Sequence, residues 1–105
     1  MKKGITRLHF IEQAKNEKNR TELGSGLFLS GFWHFSMKTA EGYKGLKLLL
    51  HRSQTSPAHR GGVIVGVEES NYAGRVVFKV KADKSCEGQG TATSATGWAR
   101  WMKLD

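Results

Sequence analysis

Side chains that can bind an anion are concentrated in residues 51–62, which hold two histidines, two arginines and a glycine pair. Arg52 and Arg60 could each hold a phosphate through two parallel hydrogen bonds. The short polar side chains that could hydrogen-bond a phosphate or a base edge are Ser53, Gln54 and Ser56. The segment therefore predicts a polyanion site within residues 51–62. The alternative interpretation is a solvated polar loop whose glycines serve only the turn.

Three tryptophans, Trp33, Trp98 and Trp101, give this short chain a large flat aromatic surface. The cations Arg100 and Lys103 are interleaved with the last two, and aromatic rings beside cations bind unstacked bases together with the backbone. On a strand, Trp98 and Trp101 would point to opposite faces, so only one would be available to a ligand. Phenylalanines flank Trp33, which favours a core position for that ring.

Catalytic and metal sites have weaker support in the sequence. His51 and His59 could supply a base and an acid for RNA cleavage, but their spacing indicates no particular geometry. Cys86 lies among small polar residues without a recognisable base, and no nucleophile-elbow, nucleotide-binding or metal-ligand motif is present. We therefore assign no catalytic residue, metal or cofactor, and a small RNase-type enzyme ranks last among the functions considered.

The charge of the chain favours a polyanionic partner. Seventeen Lys and Arg residues stand against nine Asp and Glu residues, which gives a formal net charge of +8. A cationic surface raises the local concentration of polyanions, and nucleic acid is the commonest of these inside cells. The alternative is that the charge serves solubility alone.

The length and hydropathy of the chain predict one domain over residues 1–105, because 105 residues with 38% hydrophobic side chains can build a single core. Its apolar runs are far shorter than the roughly 20 residues that cross a bilayer. Arg7, His9 and Glu12 interrupt the apolar segment that a secretory signal would need. We expect a cytoplasmic protein without a membrane association.

The N-terminal region has two interpretations. Leu8, Ile11 and Ala14 recur at helical spacing within residues 5–22, which predicts a first helix. The competing interpretation is a short strand over residues 7–11, because apolar and polar side chains alternate there.

The remainder of the chain is typical of β-structure. The segments concerned are a strand in 27–37 with a bend at Gly31, a strand in 46–51 buried on both faces, a loop over 52–62, a hairpin of 63–68 with 75–81, a surface loop over 83–97 and a last strand in 98–104. The predicted fold class is α+β: an N-terminal helix followed by a small, strongly curved, mostly antiparallel sheet or barrel. An open sheet with the helix on one face is the alternative.

The order of these segments resembles the PUA-like barrels, including the EVE and ASCH groups. The resemblance covers residues 30–81. It is carried by a Phe-Trp-His-Phe-Ser-Met strand, an Ala-Glu-Gly-Tyr-Lys-Gly connection, a Leu-Leu-Leu-His strand, a Gly-Gly-Val-Ile-Val-Gly-Val strand and a Gly-Arg-Val-Val-Phe-Lys-Val strand. It implies a small barrel that binds nucleic acid, in some members through a modified or flipped base.

Carried onto this sequence, the resemblance implies a ligand cleft beside His51, Arg52 and Ser53, near the strand with the first tryptophan. Trp33, Ser36 and Gln54 would then be the first candidates for reading a flipped base. The N-terminal helix and the long polar segment before Trp98 depart from the pattern of the family, which puts closure of the barrel in doubt.

These observations together predict a nucleic-acid-binding module whose basic face is centred on residues 51–62. Arg52 and Arg60 would contact phosphates, and Trp98, Arg100 and Lys103 would extend the surface. The alternative is a protein-interaction module or homo-oligomer that buries exposed tryptophans against a partner. The choice between DNA and RNA, and the oligomeric state, stay open at this stage.

Overall fold

The computed structural model describes residues 5–13, 19–90, 98 and 102–104. Its strands are β1 (Arg7–Ile11), β2 (Arg20–Gly24), β3 (Leu27–His34), β4 (Lys47–His51), β5 (Ala58–Glu69), β6 (Arg75–Ala82) and β7 (Met102–Leu104), and its α-helix is α1 (Met37–Glu41). All seven strands belong to one sheet with the order β2-β3-β6-β5-β4-β1-β7. The β1–β4 pair is parallel and the other pairs are antiparallel, so the sheet is mixed.

The predicted N-terminal helix is wrong, and so is the α+β class. Within 5–13 and 19–24, the chain forms β1 and β2 instead. On β1, Leu8 and Phe10 enter the main core, while His9 and Ile11 are buried on the opposite face. A strand can bury side chains on both of its faces, as this segment does, whereas a helix at the surface would bury the side chains of only one face. The competing strand interpretation of residues 7–11 has the right bounds.

The predicted barrel is also wrong, because the ladder of the described strands does not close. The edge strands β2 and β7 lie at opposite ends of the hydrogen-bonded order. The predicted hairpin is confirmed as β5 and β6, and β4 is buried on both faces as expected. The bend expected at Gly31 is confirmed by a shift in the pairing register between Ser30 and Trp33.

The main core lies on what we call the inner face of the sheet. Its buried members are Leu8, Phe10, Phe28, Ala40, Tyr43, Leu48, Leu50, Ile64, Val76, Phe78 and Val80. Trp33 stacks on Phe10 with ring centroids 4.1 Å apart, so the expected core position of this half-buried ring is confirmed. The helix α1 begins after Ser36, whose hydroxyl accepts a hydrogen bond from the Thr39 N–H, and it places Ala40 in the core.

Residues 83–90, which we call the cover segment, pack on the opposite, outer face beside β4 and β5. Asp83 caps a short 3₁₀ helix (Lys84–Cys86), and hydrogen bonds from the Ser85 hydroxyl and N–H lower the pKa of that carboxyl. Cys86 is fully buried with Leu49 and Ala58. The prediction of a surface loop is therefore wrong at Cys86. Residues 91–97 of the predicted loop lie outside the described residues.

Candidate nucleic-acid interface

The predicted anion-binding loop is shorter than expected, because β5 already begins at Ala58. His51 ends β4 with no exposed surface, so its ring lies beneath the surface. Arg60 lies on β5, ion-paired with Glu22 at 2.7 Å and placed 4.7 Å above the centroid of the Phe28 ring. The loop assignment was wrong for residues 58–62, because these residues pair with β4 and accept backbone hydrogen bonds from the cover segment. Local sequence gives no sign of either contact.

The polar side chains of the remaining loop make mostly local contacts. The Ser53 hydroxyl lies 2.7 Å from the Ser56 hydroxyl and accepts a hydrogen bond from the Thr55 N–H at 3.4 Å. Arg52 is exposed and donates to the Glu12 carbonyl oxygen at 3.3 Å, and Gln54 is exposed as well. Among the side chains predicted to bind an anion in this loop, those of Arg52 and Gln54 are the most exposed.

The other predicted site residues are dispersed. Ser36 is exposed at the start of α1. Lys103 is buried on β7, directly opposite His9 in the strand pairing. Trp98 lies edge-on to the ring of His51, with centroids 5.7 Å apart. Arg100 and Trp101 lie outside the described residues, so the predicted aromatic and cationic surface there is not placed.

A pair of fully buried histidines occupies the outer face between β1 and β4. The Nδ1 atom of His9 lies 2.8 Å from the Nε2 atom of His51. The Nδ1 atom of His51 lies 2.8 Å from the Ser56 carbonyl oxygen, which can only accept, so that nitrogen carries the proton. In the neutral pair, the Nδ1–H of His9 therefore donates to the Nε2 of His51.

A second polar cluster surrounds the buried carboxylate of Glu12. His59 contacts Glu12 Oε1 through Nε2 at 2.9 Å, and Arg20 forms an ion pair with the same oxygen. The Nδ1 atom of His59 is buried and has no hydrogen-bond partner within the described residues. No group of three potential ligands in the described ranges is arranged to hold a metal ion.

Sequence reasoning missed the cationic outer surface of β6. Val76, Phe78 and Val80 point into the core, so Arg75, Lys79 and Lys81 point outward. Lys81 pairs with Leu27 and with Val63, and Lys79 pairs with Leu29. We call the surface of Arg75, Lys79, Lys81 and these three aliphatic neighbours the lysine face. The alternation of Arg75-Val-Val-Phe-Lys-Val-Lys81 was the signal that could have identified it.

Neither lysine of this face is neutralised by a neighbour in the part of the chain that the structure describes. Lys79 and Lys81 form no ion pair there, and Arg75 uses one guanidinium nitrogen to donate to the Phe32 carbonyl oxygen at 3.2 Å. Arg60, by contrast, is held by Glu22. The lysine face therefore offers cations that are available to an anionic ligand.

A cleft opens at the end of the β5–β6 hairpin, where Arg75 begins β6. Its volume is about 390 Å³, and its lining residues are Phe35, Ser36, Met37, Glu69, Ser70, Tyr72, Ala73, Gly74, Arg75 and Val76. The Tyr72 side chain is 57% exposed and its ring lies edge-on to Phe32. Of the predicted base-reading residues, Ser36 lines this cleft.

The polar groups of the cleft divide into those that hold the turn and those that face outward. The Ser70 hydroxyl lies within 2.9 Å of the Tyr72 and Arg75 carbonyl oxygens and accepts from the Tyr72 N–H at 3.1 Å. Ser36 is engaged at the start of α1. The carboxylate of Glu69 and the remaining N–H groups of Arg75 are the charged groups of the cleft lining.

Comparisons of the chain with protein-family models, with curated proteins and with solved structures found no match. The resemblance to PUA-like barrels therefore stays a prediction. No helix among residues 5–13, 19–90, 98 and 102–104 has the length and apolar character to span a membrane.

Proposed function

We propose that this protein binds single-stranded nucleic acid, with phosphates on the lysine face and one unstacked base in the adjoining cleft. The observation that carries the proposal is the position of Arg75, which belongs to the lysine face and also lines the cleft. A backbone that follows β6 would bring a base to the cleft at the same residue.

The lysine face suits phosphate contacts. Arg75 and Lys81 are six residues apart on one strand, so the cations span about 20 Å of surface. On the neighbouring strands, Lys81 is paired with Leu27 and Val63, and Lys79 is paired with Leu29 and Gly66, so neither ammonium group faces a carboxylate at its paired positions. Glu68 faces Val77, between Arg75 and Lys79. Such contacts are sequence-independent and depend strongly on salt, because each bound phosphate releases counterions.

The cleft suits a base. Clefts of roughly 300 to 1,000 Å³ hold small ligands, and an exposed aromatic ring gives about 1–3 kcal/mol for each stacked base. Tyr72 is such a ring, and the Glu69 carboxylate can accept a hydrogen bond from a base amino group. A base must leave its stack to enter, which favours single strands over duplexes. Recognition of a modified base is one form that this function could take.

The phosphate contacts are tested by anisotropy titrations of labelled single-stranded and duplex DNA and RNA at several salt concentrations. The Lys79→Ala/Lys81→Ala variant should reduce the salt slope for single strands by about 1.4, which corresponds to two lost phosphate contacts. The matched control, Lys38→Ala/Lys44→Ala, removes two exposed cations on the α1 side and should leave the slope unchanged. Equal salt slopes for the two variants would contradict the proposal that phosphates bind to the lysine face.

The base contact is tested separately. Tyr72→Ala should weaken single-strand binding about tenfold, and Tyr72→Phe should retain it, because stacking needs the ring alone. Leu23→Ala removes another exposed apolar side chain and is the control. Glu69→Gln should change the preference among homopolymers with little effect on the salt slope. Identical affinities of the Tyr72→Ala variant and the parent for single strands would contradict the proposal that a base stacks on Tyr72.

The alternative of an interaction module predicts association that hardly depends on salt. Sedimentation of the protein alone at two salt concentrations measures it. Salt-insensitive self-association without any nucleic-acid binding would favour that alternative.

A further inference from the structure

We propose that the base held in the cleft at the end of the β5–β6 hairpin is guanine, and that the carboxylate of Glu69 selects it. This inference rests on the proposed function, because it identifies the base that the same cleft would hold. It arises from a carboxylate that lines the cleft together with an exposed aromatic ring, Tyr72, and that forms no ion pair within the described residues.

The pairing of β5 with β6 places the Glu69 side chain on the inner face of the sheet. Glu69 lies directly opposite Val76, which is buried in the main core, and side chains at directly paired positions share a face. Phe35 and Met37 pack against the same core and also line the cleft. Glu69 is therefore an exposed carboxylate beside an apolar cleft wall, on the opposite face from the two lysines of the lysine face.

The turn between β5 and β6 is held by hydrogen bonds around Tyr72. The Ser70 hydroxyl accepts a hydrogen bond from the Tyr72 N–H at 3.1 Å, and the Arg75 N–H donates to the Tyr72 carbonyl oxygen at 3.1 Å. The Tyr72 ring contacts Phe32 edge-on, with centroids 4.9 Å apart, and stays mostly exposed. A base stacked on this ring would lie in the cleft that Glu69 lines, and a turn already held in place loses little entropy on binding.

Glu69 supplies the strongest hydrogen-bond acceptor among the described side chains of the cleft lining. The Ser36 hydroxyl already accepts from the Thr39 N–H and donates to the Thr39 hydroxyl, and the Ser70 hydroxyl is engaged within the turn. The guanidinium of Arg75 can only donate. A base edge that faces Glu69 must therefore present donors.

Guanine is the base whose pairing edge matches a carboxylate. Its N1–H and its N2 amino group are adjacent donors, so the two carboxylate oxygens can accept both hydrogen bonds in parallel. Adenine and cytosine present one amino donor beside a ring nitrogen that accepts, and uracil and thymine present one N–H between two carbonyl oxygens. Each of these edges turns a lone pair toward the carboxylate. We expect a preference for guanine of about 10- to 100-fold, the discrimination typical of a good two-bond contact.

The preference is measured first on the unaltered protein, by anisotropy with a labelled oligothymidine in which one central base is exchanged. A single guanine in this background avoids the four-stranded structures that runs of guanine form. Hypoxanthine lacks only the N2 amino group of guanine and should weaken binding about tenfold, because one hydrogen bond to a charged acceptor is lost. The control is 7-deazaguanine, which is altered only at the opposite edge and should bind like guanine.

Variants assign the preference to one carboxylate. Glu69→Gln replaces an acceptor pair by one acceptor and one donor, and should bring the affinities for guanine and adenine to within about threefold of each other. Glu68→Gln is the matched control: Glu68 is the neighbouring exposed carboxylate of β5, and it lies opposite Val77 on the outer face. Its removal should raise the affinity for all four bases alike and retain the ratio. Thermal unfolding should show equal midpoints for the two variants.

The outcomes separate this inference from the function on which it rests. Salt-dependent binding with equal affinity for all four bases would overturn the assignment of guanine and leave single-strand binding in place. Absence of binding to every oligonucleotide would overturn both. A guanine preference that persists in Glu69→Gln, or that hypoxanthine retains, would overturn recognition by the carboxylate. Loss of the preference with hypoxanthine and in Glu69→Gln, but not with 7-deazaguanine or in Glu68→Gln, is the expected result.

Discussion

Arg20 and Glu12 form an ion pair that connects β2, one edge of the sheet, to the residue that follows β1, although four strands separate β2 from β1 in the hydrogen-bonded order. Arg60 on β5 adds a second link through Glu22 on β2. The sheet thus curves far enough for side chains, rather than backbones, to meet across its open side. These two side-chain contacts bridge the open side of the sheet whose inner face holds the main core.

Loss of the Glu12 carboxylate should destabilise the fold. Glu12→Ala leaves the partly buried groups of Arg20 and His59 without their acceptor, and we expect the free energy of unfolding to fall by about 2–4 kcal/mol. Urea denaturation measures it. Glu22→Ala is the control, since this carboxylate is about half exposed and should cost less than about 1 kcal/mol. Equal losses in both variants would contradict a special role for Glu12.

Gly62 should tolerate no side chain. A methyl group there would lie 1.9 Å from the Lys81 carbonyl oxygen, so Gly62→Ala should cost about 3 kcal/mol or more, or prevent folding. At Gly66 the nearest atom would be 3.6 Å away, and Gly66→Ala should stay within about 1 kcal/mol of the parent. Thermal unfolding compares them. Gly62 thus serves close strand packing, whereas Gly66 does not, and a stable Gly62→Ala variant would argue against the register of β5 and β6.

Substitution of Trp33 should lower the stability of the fold, whereas substitution of Tyr72 should affect ligand binding with little change in stability. Trp33→Ala removes the ring stacked on Phe10 and should lower the free energy of unfolding by about 2–4 kcal/mol. Tyr72→Ala should change it by less than about 0.5 kcal/mol, because that ring is mostly exposed. Denaturant titrations of both variants test this. The reverse order of stabilities would show that the two aromatic rings have been assigned the wrong roles.

Stability should decline in alkaline solution. Burial raises the pKa of Cys86 above 9.0 and the pKa of Tyr43 above 10.0, so the unfolded chain releases these protons first. The free energy of unfolding is then unaffected below about pH 8 and falls above pH 9, by at most about 1.4 kcal/mol per pH unit for each group. Cys86→Ala/Tyr43→Phe should flatten this decline, whereas Tyr72→Phe should retain it. Urea midpoints between pH 7 and 10.5 provide the test.

Local patterns predicted the central strands. The alternation in β6, the apolar run of β4 and the turn between residues 69 and 75 identify structure that depends on near neighbours in the chain. The N-terminal segment was ambiguous, because Leu8 and Ile11 satisfy helical spacing and strand burial on two faces equally well. Pairing of β1 with β4, about 40 residues away, decides between them.

The candidate site, like the fold, was determined in part by the local sequence and in part by contacts between distant segments. The sequence by itself determined the positive charge, the cations of residues 51–62 and the alternating cations of β6, since these depend only on residue type and order. The tertiary structure decided which cations remain available. Arg60 meets Glu22 and Lys103 is buried, whereas the half-buried Lys79 and the exposed Lys81 form no ion pair within the described residues. It also placed His9 against His51. Contacts between distant segments depend on the register and curvature of the whole sheet, and local periodicity carries no information about either.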